Sequence, residues 1–453
     1  KLRVSYGEVG NDGINSSLWS QLWTSETDTR YYQVINGGFQ TTYDLASLQM
    51  ANLNLKWETT ITRNIGVDFT LFQGRLNGSV DVYKNTTKDL LMRTTLPGIT
   101  GFTSTFANIG QTSNKGVEVS LTGTIFNNKD WNITAGGNIN FNRGNVDKLA
   151  DNITGLYGTA WVGSSLYPGS DYILKVGEPV GLVRGLVYDG FYTVDDFDYN
   201  NGLYTLKQGV SDLKSSVIQV LHGVVDGTDR PKGQIAYPGV PKFRDVDGNG
   251  VAGDEDLTVI GNMNPLHTGG FNLNANFRNI DLGMYFNWSY GNDVYNANKL
   301  GTLYGDKQAG VYENKLSFMK DSYKIYDIVD GQIKRLTTPD EMRAANVNTS
   351  YPLAYNENGI TSSIGIEDGS FLRLNTLTLG YTLPTDMTRK AGIQNLRVYG
   401  SVYNVLTITG YSGLDPEVNT NTSQNNQAYP TLGLDWGAYP RARSFVIGLN
   451  LIF

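Results

Sequence analysis

The stretch LNLKWETTITRNIGVDFTL, residues 53–71, alternates apolar and polar side chains along its length. Its odd positions are apolar except for Thr59 and Arg63, and its even positions are polar or glycine. A period of two is typical of a β-strand whose two faces meet different surroundings. The stretch therefore predicts a long strand, which ends before a turn at 73–75.

The same alternation returns along the chain, at 76–82, 117–125, 131–141, 271–277, 282–288, 377–381, 396–402 and 445–453. Short turns are predicted near 73–75, 127–130, 279–281 and 383–394, and long loops at about 89–113, 143–267, 292–370 and 406–442. Soluble sandwiches also alternate, but long strands joined by alternately short and long connections are typical of outer-membrane barrels. The pattern predicts an all-β fold, a transmembrane antiparallel β-barrel with lipid on its apolar face and water on its polar face.

The chain ends with SFVIGLNLIF, residues 444–453, in which alternate side chains are apolar and the last is aromatic. If the short turns are periplasmic, this strand runs inward and ends at the periplasmic interface, where aromatic rings are favoured. The ending resembles the C-terminal assembly signal of bacterial outer-membrane barrels.

Composition excludes several classes of site. The chain has no Cys and two His, His222 and His267, so thiol chemistry and a His-rich zinc site are excluded. A net charge of -7 without a basic stripe argues against nucleic acid. No apolar run is long enough for a transmembrane helix. We interpret both histidines as ordinary loop residues. Asp195 and Asp196, which are neighbours in the sequence, are interpreted in the same way. We predict that the chain is not an enzyme.

Several stretches together resemble one family, the SusC/RagA type of TonB-dependent outer-membrane transporters typical of Bacteroidetes. Four of them are KLRVSYGEVGND at 1–12, NIGQTSNKGVEVSL at 108–121, FRDVDGNGVAGDEDLTVIG at 243–261 and NVLTITGYSGLDPE at 404–417. The other three are residues 54–91, 173–193 and 371–384. The resemblance implies active import of a large nutrient, an oligosaccharide or a peptide, across the outer membrane of a Gram-negative, Bacteroidetes-like cell. It also implies a SusD-like surface lipoprotein as a lid, energy from the TonB complex, and a plugged barrel of about 22 strands.

Nothing in this sequence resembles the plug domain or the TonB-contacting segment of that family. We therefore expect residues 1–453 to be the C-terminal portion of the barrel, with the plug and N-terminal extension outside this chain. Two other functions stay open. One is a passive porin or structural surface barrel without energy coupling, and the other is a hydrolase at the barrel rim, for which the sequence offers no convergent cluster.

The sharpest local motif is DVDGNGVAGDED, residues 245–256. Asp245, Asp247 and Asn249 occupy positions 1, 3 and 5 of a calcium-loop pattern, and Val251 could offer its carbonyl at position 7. Asp256 occupies position 12, where Glu is usual; dockerin-type calcium loops also use Asp there. The motif predicts a structural Ca²⁺, with Mg²⁺ less favoured, that fixes a long external loop; the alternative is a solvated Asp-Gly turn. No organic cofactor is predicted.

Substrate-binding residues stay unassigned. Loop aromatics suit sugar stacking, but they also suit loop packing or contact with a lid protein; they are Trp19, Trp23, Tyr157, Trp161 and Trp436. Three other tryptophans, Trp57, Trp131 and Trp288, lie on apolar faces and are predicted to belong to the aromatic belt at the membrane surface.

Overall fold

A computed structural model describes thirteen ranges of the chain: 1–11, 18–21, 23–25, 33–35, 38–40, 43–45, 48–149, 155–158, 167–218, 228–304, 314–353, 359–420 and 432–453. The chain divides into two units. The first consists mainly of Lys1–Leu156 with Lys175–Val180, and the second mainly of Tyr157–Leu174, Gly181–Asn425 and Tyr429–Phe453. His222 and Trp161, both considered above, lie outside the described residues.

The first ten strands belong to the first unit. They are β1 (Leu2–Asn11), β2 (Trp23–Ser25), β3 (Gln33–Ile35), β4 (Gly38–Gln40), β5 (Tyr43–Leu45), β6 (Gln49–Met50), β7 (Glu58–Leu71), β8 (Leu76–Thr95), β9 (Ser104–Asn127) and β10 (Trp131–Lys148). The long strands form an antiparallel sheet in the order β1-β7-β8-β9-β10, to which β6 adds a short parallel pairing with β9.

The two faces of this sheet differ as the alternation predicts. One transverse row is apolar across all five strands, and it consists of Leu2, Val67, Val80, Val119 and Ile139. This apolar face is largely exposed; Val67, for example, is 45% exposed. The opposite face carries polar contacts, among them the Arg3 guanidinium, which donates to Asp68 and Asp81 at 2.8 Å. Exposed apolar side chains over such an area suit lipid rather than water.

The predicted loop at 89–113 is mostly wrong. β8 and β9 stay paired from Leu76↔Gly123 up to Thr95↔Ser104, so only residues 96–103 connect them. The pairing register shifts between Thr87 and Leu91, and Asp89 has a positive φ of 58°. These bulges interrupt the apolar–polar period without ending the strands, which is why the pattern in the sequence stopped too early.

The second unit contains the other strands and three short helices. They are β11 (Gly155–Gly158), which spans the boundary, β12 (Tyr172–Lys175), β13 (Leu182–Gly185), β14 (Tyr188–Phe191), β15 (Phe197–Asn200), β16 (Leu203–Leu206), β17 (Asp212–Leu213), β18 (Pro241–Phe243), β19 (Val251–Ala252), β20 (Thr258–Asn262), β21 (His267–Phe277), β22 (Ile280–Tyr290), β23 (Asp293–Asn296), α1 (Ala297–Tyr304), β24 (Tyr326–Val329), β25 (Gln332–Arg335), α2 (Pro339–Ala345), β26 (Ile366–Asp368), β27 (Phe371–Thr382), α3 (Thr385–Thr388), β28 (Asn395–Thr409), β29 (Leu434–Asp435) and β30 (Ser444–Ile452). Within the described ranges, no helix is long and apolar enough to cross a membrane.

Five of these strands form the second unit's long antiparallel sheet, in the order β21-β22-β27-β28-β30. As predicted, short connections join β21 to β22 and β27 to β28, the latter through α3. On β30 the alternate residues Phe445, Ile447 and Leu449 are all strongly exposed, Ile447 at 85%. The polarity of these strands is again the reverse of a soluble sheet.

The described residues of the second unit that lie outside its long strands fold into what we call the loop module. It holds the hydrophobic core of the described structure. Tyrosines supply much of this core, and their hydroxyls find partners: Tyr172 donates to the Leu432 carbonyl at 2.6 Å, and Tyr192 to the Ser211 carbonyl at 2.6 Å. Tyr204 donates to the Thr337 carbonyl at 3.0 Å. Burial of these three tyrosines is tolerated because each of their hydroxyls is hydrogen-bonded.

Candidate metal loop and its surroundings

The predicted calcium loop lies in the loop module between β18 and β20. Gly248 and Gly250 have φ values of 75° and 89°, a left-handed conformation that favours glycine. These glycines fold the segment back, so that one carboxylate oxygen from each of Asp245, Asp247 and Asp256 lies within 4.8 Å of the others. The structure therefore brings together three of the five predicted ligands by their side chains.

Asp245 organises the start of the loop. Its Oδ1 accepts from the backbone N–H of Gly248 at 2.8 Å, and its Oδ2 accepts from Gly250 at 2.8 Å and from the Ser211 hydroxyl at 3.1 Å. Burial acts to raise the pKa of Asp245, but the hydrogen bonds from Gly250, Ser211 and Gly248 outweigh it and lower the pKa. The group is held as a carboxylate, which is the form that a cation needs.

Asn249 and Val251, the fourth and fifth predicted ligands, are hydrogen-bonded to each other. The Asn249 Oδ1 accepts from the Val251 N–H at 2.9 Å. The carbonyls on either side of Val251 bond to β17, with Gly250 accepting from Asp212 and Ala252 from Lys214. Since carbonyls alternate along a strand, the Val251 carbonyl lies on the edge that faces Asn249.

Asp256 closes the loop from a buried position, with 1% of its surface exposed. Its Oδ1 accepts from the N–H groups of Val246 and Asp247, and its Oδ2 accepts from Gly253 at 2.7 Å. The short Asp side chain at position 12 therefore reaches the loop, although the sequence pattern favours Glu there. Three backbone donors also stabilise this carboxylate without an ion, so binding a cation would exchange hydrogen bonds for ion contacts.

The other two acids of the motif have structural partners. Lys214 Nζ lies 2.6 Å from Glu255 and 3.6 Å from Asp254, and the Tyr167 hydroxyl donates to Asp254 at 2.7 Å. The whole donor set, with carboxylates, an amide oxygen and a carbonyl, consists of the hard oxygen ligands that Ca²⁺ and Mg²⁺ prefer. The residues fit the predicted ion in chemical type, and three of their carboxylates cluster.

The other sequence candidates have varied positions. Trp19 and Trp23 are exposed, whereas Trp436 packs against the core of the loop module. The side chain of Tyr157 lies outside the described part of the structure. Asp195 pairs with Arg343 at 2.7 Å, and Asp196 accepts from the Thr193 N–H at 2.7 Å, so both carboxylates act in loop architecture.

The interpretation of His267 as a loop residue is wrong, because it begins β21. Its Nδ1 accepts from the Trp288 indole N–H at 3.0 Å, and its ring stacks on Tyr290 with centroids 5.1 Å apart. The three predicted belt tryptophans all lie near strand ends: Trp57 precedes β7, Trp131 begins β10, and Trp288 lies near the end of β22.

Sequence reasoning missed a buried charge cluster near the start of β27. Arg373 has no exposed surface, and its Nη2 lies 2.6 Å from Asp415. Glu417 lies 3.3 Å from Arg373 and 3.1 Å from Arg441, which joins the same cluster. The signal was present as an Arg on the polar face of a strand and two acids in the stretch GLDPE, but nothing local linked them.

Comparison with known proteins identifies the architecture. Residues 1–217 match the family model of the TonB dependent receptor-like β-barrel. TonB-dependent receptor P3 of Formosa agariphila is 32% identical over 100% of this chain, and SusC of Bacteroides thetaiotaomicron is 26% identical over 100% of it. Residues 1–217 therefore carry the β-barrel of the TonB-dependent receptor family, and the whole chain is similar to receptors of that family. Its fold is thus an outer-membrane β-barrel, as predicted, and its named relatives are receptors rather than enzymes.

A solved structure supports the same placement within the family. The structure of the RagAB peptide transporter matches 99% of the present chain, with a TM-score of 0.68 and 25% identity. This match is consistent with the SusC/RagA type. The chain spans 39% of the length of P3, 37% of SusC and 40% of the matching RagAB chain.

Proposed function

We propose that this receptor chain is the barrel portion of an active importer, which takes up a large nutrient, an oligosaccharide or a peptide, across the outer membrane. The observation that carries the proposal is the correspondence of essentially the whole chain to SusC and to a transporter named for peptides. The exposed apolar faces of both long sheets support the membrane location on which import depends.

The proposal includes the other parts of the importer, namely a plug domain, a surface lipoprotein and the TonB complex. Residues 1–453 form the C-terminal portion of a barrel of about 22 strands, and a plug domain lies elsewhere in the protein. A SusD-like surface lipoprotein covers the outer opening, and the TonB complex supplies energy through the plug-bearing part. The small fraction of each relative that the chain spans supports this division.

Uptake by intact cells tests the proposal. We expect uptake of labelled oligosaccharides or peptides to stop when the receptor gene or TonB is inactivated, and a lipoprotein to co-purify with the receptor. Size-dependent diffusion of solutes through the purified receptor in liposomes, without an energy source, would instead establish the passive porin. Supplying the two nutrient classes separately identifies the substrate.

We also propose that the loop from Asp245 to Asp256 binds Ca²⁺ and thereby fixes the loop module. The clustered carboxylates and the orientation of Val251 support this. An affinity on the order of 10⁻⁴ to 10⁻³ M is expected for an extracellular module. Ca²⁺ at about ten times the dissociation constant should stabilise the module by about 1.4 kcal/mol.

Thermal unfolding of the receptor with and without Ca²⁺ tests this second proposal. Asp247→Asn should remove the stabilisation by Ca²⁺, whereas Glu255→Gln, in the same loop but outside the ligand set, should retain it. Equal shifts in the two variants, or no shift in the unaltered receptor, would contradict the site. Mg²⁺ at the same concentration measures ion selectivity.

A further inference from the structure

Four cationic side chains form one transverse row across the sheet of the first unit. Arg63 of β7 lies opposite Lys84 of β8, Lys84 opposite Lys115 of β9, and Lys115 opposite Arg143 of β10. All four are exposed. We call these residues the cation row.

The cation row lies on the lipid-facing side of the sheet. The next row on this face, two residues closer to the short turns, is entirely apolar and consists of Ile65, Val82, Val117 and Phe141. Because side chains alternate between faces, the cations lie directly beyond this apolar surface and not on the polar side, where Arg3 meets Asp68 and Asp81.

The height of the row corresponds to the outer membrane surface. The eight steps from Leu71 to Arg63 cover about 26 Å of strand at about 3.3 Å per residue. With a strand tilt of about 40°, this is about 20 Å across the membrane, close to the apolar band of about 25 Å. With the short turns at Leu71 on the periplasmic side, as the sequence predicts, the row lies near the outer leaflet headgroups, and its flexible stems can adjust to their level.

The row is electrostatically costly as it stands. Like charges directly opposite each other on neighbouring strands repel. In the described part of the chain, Arg63, Lys84 and Lys115 form no ion pair with a carboxylate within 4 Å. The Arg63 guanidinium lies 5.8 Å from the Tyr6 ring centroid, and Arg143 Nη1 donates to the Asn142 carbonyl at 2.7 Å.

The charge of Asp147, a carboxylate farther out on the same face, reaches Lys84 through space, but no ion pair within 4 Å joins the two. Asp147 accepts hydrogen bonds from Ser113 at 2.8 Å, Asn145 at 2.7 Å and Gln111 at 3.2 Å. These neutral donors hold it in place near the end of β10. An external anion would therefore relieve the repulsion among Arg63, Lys84 and Lys115.

The sheet of the second unit shows that such a row is not a general property of these strands. At the corresponding end of its lipid-facing side, Trp288 lies opposite Leu372, and Leu372 lies opposite Ile408. One step farther out, His267 lies opposite Tyr290. That surface is aliphatic and aromatic, so the concentration of positive charge is specific to the first unit. It arises in a chain with a net charge of -7, so it does not reflect a basic protein overall.

We propose that the cation row binds the phosphate-bearing headgroup of a lipid of the outer leaflet. Guanidinium and ammonium groups form charge-assisted hydrogen bonds with phosphate oxygens, and the adjoining apolar row would contact the acyl chains of the same lipid. Three strand spacings of about 4.8 Å make the row about 14 Å long, enough for a headgroup with more than one phosphate. The site would fix the depth and orientation of this side of the barrel.

Native mass spectrometry of the whole receptor, purified from its membrane and mixed with diphosphorylated lipid A, tests the proposal. The test variant carries Arg63→Gln, Lys84→Gln, Lys115→Gln and Arg143→Gln. The control variant removes four exposed cations elsewhere, by Lys129→Gln, Lys232→Gln, Lys320→Gln and Lys390→Gln. We expect the unaltered receptor and the control variant to retain the lipid, and retention by the test variant to fall at least about tenfold, since each basic residue near an anionic surface contributes about fivefold.

A phosphate-free lipid with the same acyl chains distinguishes headgroup recognition from general lipid contact. Equal retention of the two lipids by the unaltered receptor, or equal retention of lipid A by the test and control variants, would overturn the proposal. Heat-modifiable migration on gels verifies that each variant is a folded barrel. If the fourfold variant does not fold, the pair Lys84→Gln and Lys115→Gln replaces it, with an expected loss of several-fold against Lys129→Gln and Lys390→Gln.

Discussion

Val67 in β7 and Leu300 in α1 are both aliphatic residues of the same chain, yet Val67 is 45% exposed and Leu300 is fully buried. The long strands turn their apolar side chains outward, because their solvent on that side is lipid. The loop module turns its apolar side chains inward, because its solvent is water. Apolar side chains of one chain therefore face outward in the long strands and inward in the loop module. The exposed fraction of a side chain alone does not predict how much a substitution will destabilise the fold.

The largest expected effect concerns the buried charge cluster. Asp415→Ala should destabilise the loop module by about 3–5 kcal/mol, because it leaves the buried Arg373 guanidinium without its 2.6 Å partner. Thermal and denaturant unfolding of the receptor measure the loss. Combining Asp415→Ala with Arg373→Met should recover most of the stability, and a double variant no more stable than the single one would contradict this account.

Leu300→Ala should destabilise the loop module by about 2–5 kcal/mol, because it creates a cavity in a water-facing domain's core. Unfolding of the module followed by hydrogen exchange measures this change. Leu414, which is strongly exposed, provides the matched control, and Leu414→Ala should stay within about 0.5 kcal/mol. Similar costs at the two leucines would refute the inward-facing core.

Val67→Arg should destabilise the folded barrel by about 2–4 kcal/mol, because it places a charge in the hydrocarbon layer. Urea titration of folding into phosphatidylcholine vesicles measures the cost. Ile328 in β24 is more exposed than Val67, at 72%, but it faces water, so Ile328→Arg should change stability by less than about 0.5 kcal/mol. A harmless Val67→Arg would show that this face does not contact lipid.

The smallest effect is a dependence of the loop module on acidic pH. Burial acts to raise the pKa of Glu367, but hydrogen bonds from Ser412 and the charge of Lys299 outweigh it and lower the pKa. A lowered pKa gives stability that is present above the ordinary Glu value of about 4.3 and is lost as the pH falls through the folded value. Thermal unfolding from pH 6 to pH 3 should show this loss, and it should be smaller in Glu367→Gln. The exposed Glu8→Gln should leave the loss unchanged.

Local patterns allowed much of the architecture to be predicted. Alternation located the long strands, and the short turns at 73–75 and 127–130 lie where expected. The calcium-loop pattern identified the three carboxylates that cluster. The predicted loop at 89–113 was wrong because bulges in the pairing of β8 with β9 shift the alternation without breaking the hydrogen-bonded ladder.

The sequence by itself determined which faces of the strands are apolar, and hence that they belong in a membrane, because a period of two is a property of neighbouring residues. Only the tertiary structure decided which distant residues meet. Arg373 and Asp415 join through the return of a long loop, and the cation row exists only because the register places Arg63, Lys84, Lys115 and Arg143 side by side. Strand register depends on pairing across the sheet, so no window of sequence contains it.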